Sequence, residues 1–166
     1  MSDPVPMELV GVRIELPTNT PILLLRETSG TRFLPIWIGA NEATAIALAL
    51  EGIEPQRPLT HDLLKMVTEQ LGAEIDRVVV TDLEDGTFYA DLVMTRDGEE
   101  LTVSSRPSDA IALAARTKSP LFAAANVIDE AGVEIRDDGQ EEEIDRFREF
   151  LDEITPEDFQ GHQHEQ

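Results

Sequence analysis

Cysteine is absent from this chain of 166 residues, which excludes disulfides, thiolate nucleophiles and Cys-ligated zinc or iron–sulfur sites. Histidine is scarce: His61, His162 and His164, two of them in the last five positions, do not make a three-His metal centre. Aromatic residues are few, with one Trp and one Tyr, and no basic patch interleaves with them to form a stacking platform for single-stranded nucleic acid. Positive charge is short as well. Thirteen Lys and Arg face 34 Asp and Glu, a formal net charge of −21, so the resting field of the molecule repels polyanions and anionic membranes. The longest apolar runs, Ile22–Leu25 and Ala43–Leu50, fall far short of the ~18–20 residues that span a bilayer. The N-terminal Met-Ser-Asp-Pro-Val-Pro has no apolar core of a signal peptide, so a cytoplasmic protein without a membrane partner is expected. Gly-rich dinucleotide loops, phosphate-cradling P-loops and Ser nucleophile elbows are missing too, and no organic cofactor is expected.

What is present divides unevenly. Residues 1–128 carry 19 acids and 10 bases, a net of −9, whereas residues 129–166 carry 15 acids and 3 bases, a net of −12. A boundary is therefore expected near Asp129, between an α+β domain over 1–128 and an acidic linker, amphipathic helix and disordered tail over 129–166. In the latter, Ile144, Phe147, Leu151 and Ile154 recur at helical spacing, and Pro156 closes the pattern.

Within 1–128, β-rich runs are punctuated by turn chemistry. Met7–Leu16, Ile22–Thr28 and Thr31–Ile38 read as strands, the last two joined at Ser29-Gly30. Asp76–Glu84, Thr87–Thr95 and Glu100–Ser104 read as three more, joined at Asp85-Gly86 and Asp97-Gly98, and Asp-Gly between β-rich runs is a strong hairpin signal. Each meander runs into an Ala-rich helix, the first near 41–50 and the second near 108–115. The string Ala-Ile-Ala-Leu-Ala occurs at 45–49 and again at 110–114, which suggests a duplicated βββα unit or two buried helices of convergent composition. A third helix is expected with Thr60 as its N-cap, the stripe Leu63, Leu64, Val67 and Leu71, and Gly72 just past its end. The expected fold is α+β, with a mostly antiparallel sheet built from two meanders each followed by an Ala-rich helix, plus the acidic C-terminal helix.

Candidate chemistry is then confined to carboxylates, one internal His and a few Arg. Glu42 opens the first Ala-rich helix, as a metal ligand or, behind an Asn41 cap, as an acid favoured by the helix dipole. His61 and Asp62 open the middle helix after Arg57, as a base beside a phosphate clamp or as a capped helix start. Arg106-Pro107-Ser108-Asp109 opens the second Ala-rich helix, as an anion or metal site or as a local Arg106–Asp109 ion pair.

Three segments taken together, Leu34-Pro35-Ile36-Trp37-Ile38-Gly39 with Glu42-Ala43, Arg57-Pro58-Leu59-Thr60-His61-Asp62-Leu63, and Arg106-Pro107-Ser108-Asp109-Ala110-Ile111-Ala112-Leu113-Ala114, resemble the bacterial and plant bifunctional nuclease family over roughly residues 7–128. The resemblance implies a nuclease acting on DNA and RNA, on an α+β fold that self-associates. Combining motif positions with chemistry, we expect Glu42, His61, Asp62 and Asp109 as catalytic residues. Glu42 and Asp109 would hold a divalent Mg²⁺ or Mn²⁺, and Arg57 and Arg106 would bind phosphate. Nucleic acid is then the substrate, weakly held given the charge, and a homodimer or small homo-oligomer is expected from the Ala-rich helices and the apolar strand around Trp37. The alternative is a non-catalytic, self-associating binding or regulatory module whose acidic C-terminal helix docks a basic protein partner.

Overall fold

The computed structural model describes residues 3–134. Three strands, β1 (Val5–Glu15), β2 (Thr20–Glu27) and β3 (Arg32–Trp37), lead into helix α1 (Ala40–Leu50). After helix α2 (Thr60–Gln70), three more strands, β4 (Glu74–Glu84), β5 (Thr87–Arg96) and β6 (Glu99–Ser105), lead into helix α3 (Pro107–Thr117). The short elements β7 (Leu121–Ala123), α4 (Ala125–Ala131) and β8 (Val133–Glu134) follow. All strands form one sheet in the order β6-β5-β4-β7-β1-β2-β3-β8, antiparallel except where β4 runs parallel to β7. The expected α+β class and the two meanders, each ending in an Ala-rich helix, are what the structure shows.

The hairpins form where the turn residues dictate. Asp85-Gly86 and Asp97-Gly98 all take positive φ, between 50° and 79°, as two-residue loops matched to strand twist require. Sequence reasoning did not assign β7, α4 or β8. β7 nonetheless joins the two meanders, pairing with β1 on one side and β4 on the other. The described fold also continues past residue 128: Asp129 lies within α4, and β8 pairs with β3. The expected acidic C-terminal helix lies outside the described residues. No helix among the described residues is long and apolar enough to cross a membrane.

Ala-rich composition does the packing work. α1 buries Ala43, Ala45, Ile46, Ala47 and Leu48, and α3 buries every residue from Pro107 to Leu113 except Asp109, together with Ala114. Small side chains let the two helices lie against each other and against the sheet, where Ile46, Ile111 and Leu113 meet Leu23, Leu25, Leu34, Val78 and Val80. Each of these large side chains contributes roughly 1.5–3 kcal/mol by leaving water. The consequence for function is positional, because close packing of α1 and α3 fixes what stands at their first turns.

Candidate functional site

Glu42 and Asp109 occupy the same place in their helices. α1 starts at Ala40 and α3 at Pro107, so each acid is the third helical residue, where the orphan amides of the first turn favour negative charge. The N-caps are Gly39 and Arg106, and Asn41, the cap expected from sequence, sits inside the first turn instead. Pro107 at the first helical position has no N–H to leave unpaired there.

Arg106 joins the two acids. Its Nη2 donates to Glu42 Oε1 at 2.8 Å and lies 2.7 Å from Asp109 Oδ2, while its Nε donates to the same Oδ2 at 2.8 Å. On the far side of Asp109, His61 Nε2 stands 2.9 Å from Oδ1. Glu42, Arg106, Asp109 and His61 thus form one hydrogen-bonded chain at the heads of three helices. The hydrogen bond to Asp109, then its charge, then Glu42 hold the Arg106 guanidinium above its ordinary pKa against a small desolvation cost. Its side chain is 65% exposed, and Nη1 has no protein partner among the described residues, so the cation faces solvent while its anchors are sunk. His61 is buried, and Glu42 keeps only a small part of its carboxylate in water.

Gly39 completes the Glu42 arm. A Cβ there would fall inside van der Waals contact of Glu42 Oε2, so the absence of a side chain lets the carboxylate fold back over its own N-cap. The backbone at Gly39, φ −80° and ψ 158°, is open to any residue, which makes the requirement steric rather than conformational.

Asp62 stands apart from this chain although it follows His61. Its Oδ2 accepts from the Leu59 amide at 3.0 Å and its Oδ1 accepts from Arg116 Nε at 2.7 Å. Leu59, not the expected Thr60, is therefore the N-cap, and Asp62 caps it from the third position. Burial opposes ionisation of Asp62, but the hydrogen bonds from Arg116 and Leu59 and the charges of Arg116 and His61 outweigh it, and the carboxyl sits below its ordinary range. Arg116 is nearly enclosed and also donates to Ala112 O at 2.8 Å. Sequence reasoning did not single out Arg116. It lies 54 residues from its partner, and only a base in the last turn of α3 marks it locally. Arg57 lies in the exposed connector before α2 and joins none of these contacts.

The expected metal pair, Glu42 and Asp109, is brought together, but with Arg106 between the two carboxylates. No three His, Asp or Glu side chains converge as a ligand set among the described residues. The donor set therefore does not fit an ion held by the protein alone.

A second polar cluster is structural. Glu27, buried at the end of β2, accepts from Arg32 Nε at 3.0 Å, and Arg32 Nη1 reaches Asp129 on α4 at 2.9 Å. Gly30 leaves room for the Glu27 carboxylate in the turn between β2 and β3, so this cluster ties the β2–β3 hairpin to α4.

Two proteins of Mycobacterium tuberculosis strains, both described as uncharacterized, are 46% identical to this chain over 163 residues, covering 93% of it and 98% of their own length. Bifunctional nuclease 1 of Oryza sativa subsp. japonica is 29% identical over 103 residues, 60% of this chain and 31% of the rice protein. Bifunctional nuclease 2 of Arabidopsis thaliana is 26% identical over 131 residues, 75% of this chain and 40% of the plant protein. The family model described as the bifunctional nuclease domain matches residues 23–136, a span that holds both Ala-rich helices and all four members of the Arg106 cluster, and the chain belongs to that family.

Proposed function

We propose that this chain is a nuclease that hydrolyses phosphodiester bonds of DNA and RNA at the Glu42–Arg106–Asp109–His61 cluster. The observation that carries this reading is Arg106, a solvent-facing guanidinium clamped by two carboxylates with Nη1 still open to an anion. A phosphate placed on Nη1 is oriented without reorganising the site, because Glu42 and Asp109 already hold the fork. Glu42 Oε1 is spent on Arg106, and Oε2 makes no hydrogen bond among the described residues, so Oε2 is the acceptor for the proton of an attacking water. His61 holds Asp109, and through it Arg106, in place as charge builds on the phosphate oxygens.

Two carboxylates beside one Arg repel the phosphate that the Arg attracts. A divalent ion shared with the substrate, Mg²⁺ or Mn²⁺, would offset this, and would need Arg106 to give up part of its hold on Glu42 and Asp109. The protein's own donors do not fit such an ion, and the assay decides. Cleavage of single- and double-stranded DNA and RNA is measured with Mg²⁺, Mn²⁺ or EDTA, beside a Glu42→Gln variant. Cleavage that the variant loses supports the site, and equal cleavage by both proteins removes Glu42 from it.

One observation favours the second reading, a non-catalytic binding or regulatory module. Among the described residues, Arg26, Arg32, Arg77, Arg96, Arg106 and Arg116 are each ion-paired with a carboxylate, so much of the positive charge that would meet a polyanion is already offset. A wild-type protein that cleaves none of the four substrates in any metal decides for that module, and the acidic segment after residue 134 is then where a basic partner is sought.

A further inference from the structure

Trp37 and Tyr89 are the one Trp and the one Tyr of the chain, and both are exposed, at 56% and 41%. Each stands at a strand end that frames Arg106. Trp37 comes two residues before Gly39, the N-cap over which Glu42 folds, so the two Cα atoms are at most about 7 Å apart. Tyr89 is close by register: Ser105 pairs with Ala90, and the next step along the two strands sets Arg106 beside Tyr89. Ile36 and Ala90, next to the two aromatics in sequence, are buried in the core, so indole and phenol project from the same outward face of the sheet. The indole is also held in orientation, because its Nε1 donates to Glu15 Oε2 at 3.2 Å. A solvent-facing guanidinium therefore has an exposed ring on either side, one from each meander.

What the surroundings lack is positive charge for a second and third phosphate. Among the described residues, Arg26, Arg32, Lys65, Arg77, Arg96 and Arg116 are ion-paired with carboxylates, and Arg13 is engaged as well. Lys118 closes α3, about 16 Å along the helix from its head. Arg57, four residues before His61 and at most about 14 Å from it along the chain, has charge for one further phosphate. Carboxylates take the remaining places. Asp82 pairs with Tyr89 across β4 and β5, Glu84 and Asp85 follow it into the turn, and all three are exposed. Glu15 stands against Trp37 on the other side. A long strand laid across Arg106 brings its neighbouring phosphates to these acids, whereas its bases find two rings and no extended platform.

We infer that the preferred substrate of this site is a dinucleotide, with its phosphodiester on Arg106 and its two bases stacked on Trp37 and Tyr89. Resting on the nuclease reading of the Arg106 cluster, this narrows the substrate from long strands to their shortest pieces. Stacking accepts any base and either sugar, so ribo- and deoxyribodinucleotides are treated alike. One internal phosphate also meets the least repulsion from a chain at −21. As the water oxygen bonds to phosphorus, its proton passes to Glu42 Oε2. The P–O ester bond breaks, the leaving oxygen takes a proton from solvent, and a nucleoside and a nucleoside monophosphate depart.

The test uses the full chain and two readouts. Trp37 emission reports binding, because a base stacked on the indole quenches it. Adenylyl-adenosine, in its ribose and deoxyribose forms, should quench the wild type saturably, and Tyr89→Leu should raise the midpoint by about 10-fold. Cleavage reports the substrate class. Compared with adenylyl-adenosine, kcat/KM per bond should fall by about 10-fold or more for an adenylate strand of about 20 nucleotides, and recover when all linkages but one are uncharged methylphosphonates. Asp82→Asn with Glu84→Gln should raise cleavage of the charged strand and leave that of adenylyl-adenosine unchanged. Trp37→Leu should raise KM for adenylyl-adenosine by about 10-fold with kcat nearly kept, and Trp37→Phe, which retains a ring, should restore most of it. Where Trp37→Leu fails to fold, Tyr89→Leu decides by the same split. Cleavage per bond that grows with strand length overturns the inference and leaves the nuclease reading standing. Cleavage of no substrate overturns the nuclease reading; saturable quenching then keeps the dinucleotide site as a binding site, and unquenched Trp37 emission removes it too.

Discussion

Arg106 gives the candidate site its shape, and the residues around it hold it in place. Gly39 is the sharpest case, because it contributes only space for the Glu42 carboxylate. Gly39→Ala is expected to displace that carboxylate from Arg106 and lower cleavage by about 10-fold or more, as a misplacement on the order of 1 Å does. Melting temperature should hardly move, since the backbone there suits alanine. Equal cleavage by the variant and the wild type would show that the fold-back of Glu42 is incidental.

Asp62 gives a pH test of opposite character. Its folded pKa is lowered, so its contribution to stability is present above the unfolded value of about 3.9 and disappears as pH falls through the folded value. Urea denaturation of wild type and Asp62→Asn should therefore differ at neutral pH, by about 2 kcal/mol for a hydrogen bond to a charged partner, and converge in acid. A gap that persists at the lowest pH would place the effect elsewhere than in the carboxylate charge. Neither role is visible in a string of letters. Asp62 reads as one half of a His-Asp pair, and only the fold turns it toward Arg116, 54 residues away.

At the scale of elements, legibility follows how local the determining interaction is. Asp85-Gly86 and Asp97-Gly98 announce their hairpins because the positive φ they supply is a property of two adjacent residues. The Ala-rich runs announce buried helices for a similar reason. β7 is three residues long, and what makes it a strand is pairing with β1 and β4 at separations of about 40 to 115 residues, which no local pattern carries. α2 shows a different limit: periodicity locates the stripe Leu63, Val67 and Leu71 but does not say whether core or solvent lies in front of it. α4 is short, straddles the boundary expected near Asp129 and carries no pattern of its own in the sequence, yet Val127 and Ile128 are fully buried against the cluster. Ile128→Ala should cost about 2–4 kcal/mol in urea denaturation, a loss that an element outside the cooperative unit would not show.

Taken as a whole, the molecule carries its charge against its proposed substrate. At −21, mutual repulsion of carboxylates destabilises the compact state, and added salt should raise the melting temperature of the full chain. A fall with added NaCl would mean that the ion pairs outweigh the repulsion. Recognition centred on one Arg also predicts a shallow salt dependence of nucleic-acid binding, with a log–log slope near one or two rather than the steep slope of a basic groove.

The measurement that bears most directly on the central claim is cleavage of single-stranded RNA and DNA by highly purified wild type, Arg106→Ala and Arg106→Lys, each confirmed folded by Trp37 emission. Phosphate binding through a guanidinium clamped by Glu42 and Asp109 predicts loss of about 100-fold or more with Ala and only partial recovery with Lys, whose ammonium cannot fill the fork. Cleavage that is the same in all three preparations would contradict the account, because it would place the activity, or its source, away from Arg106.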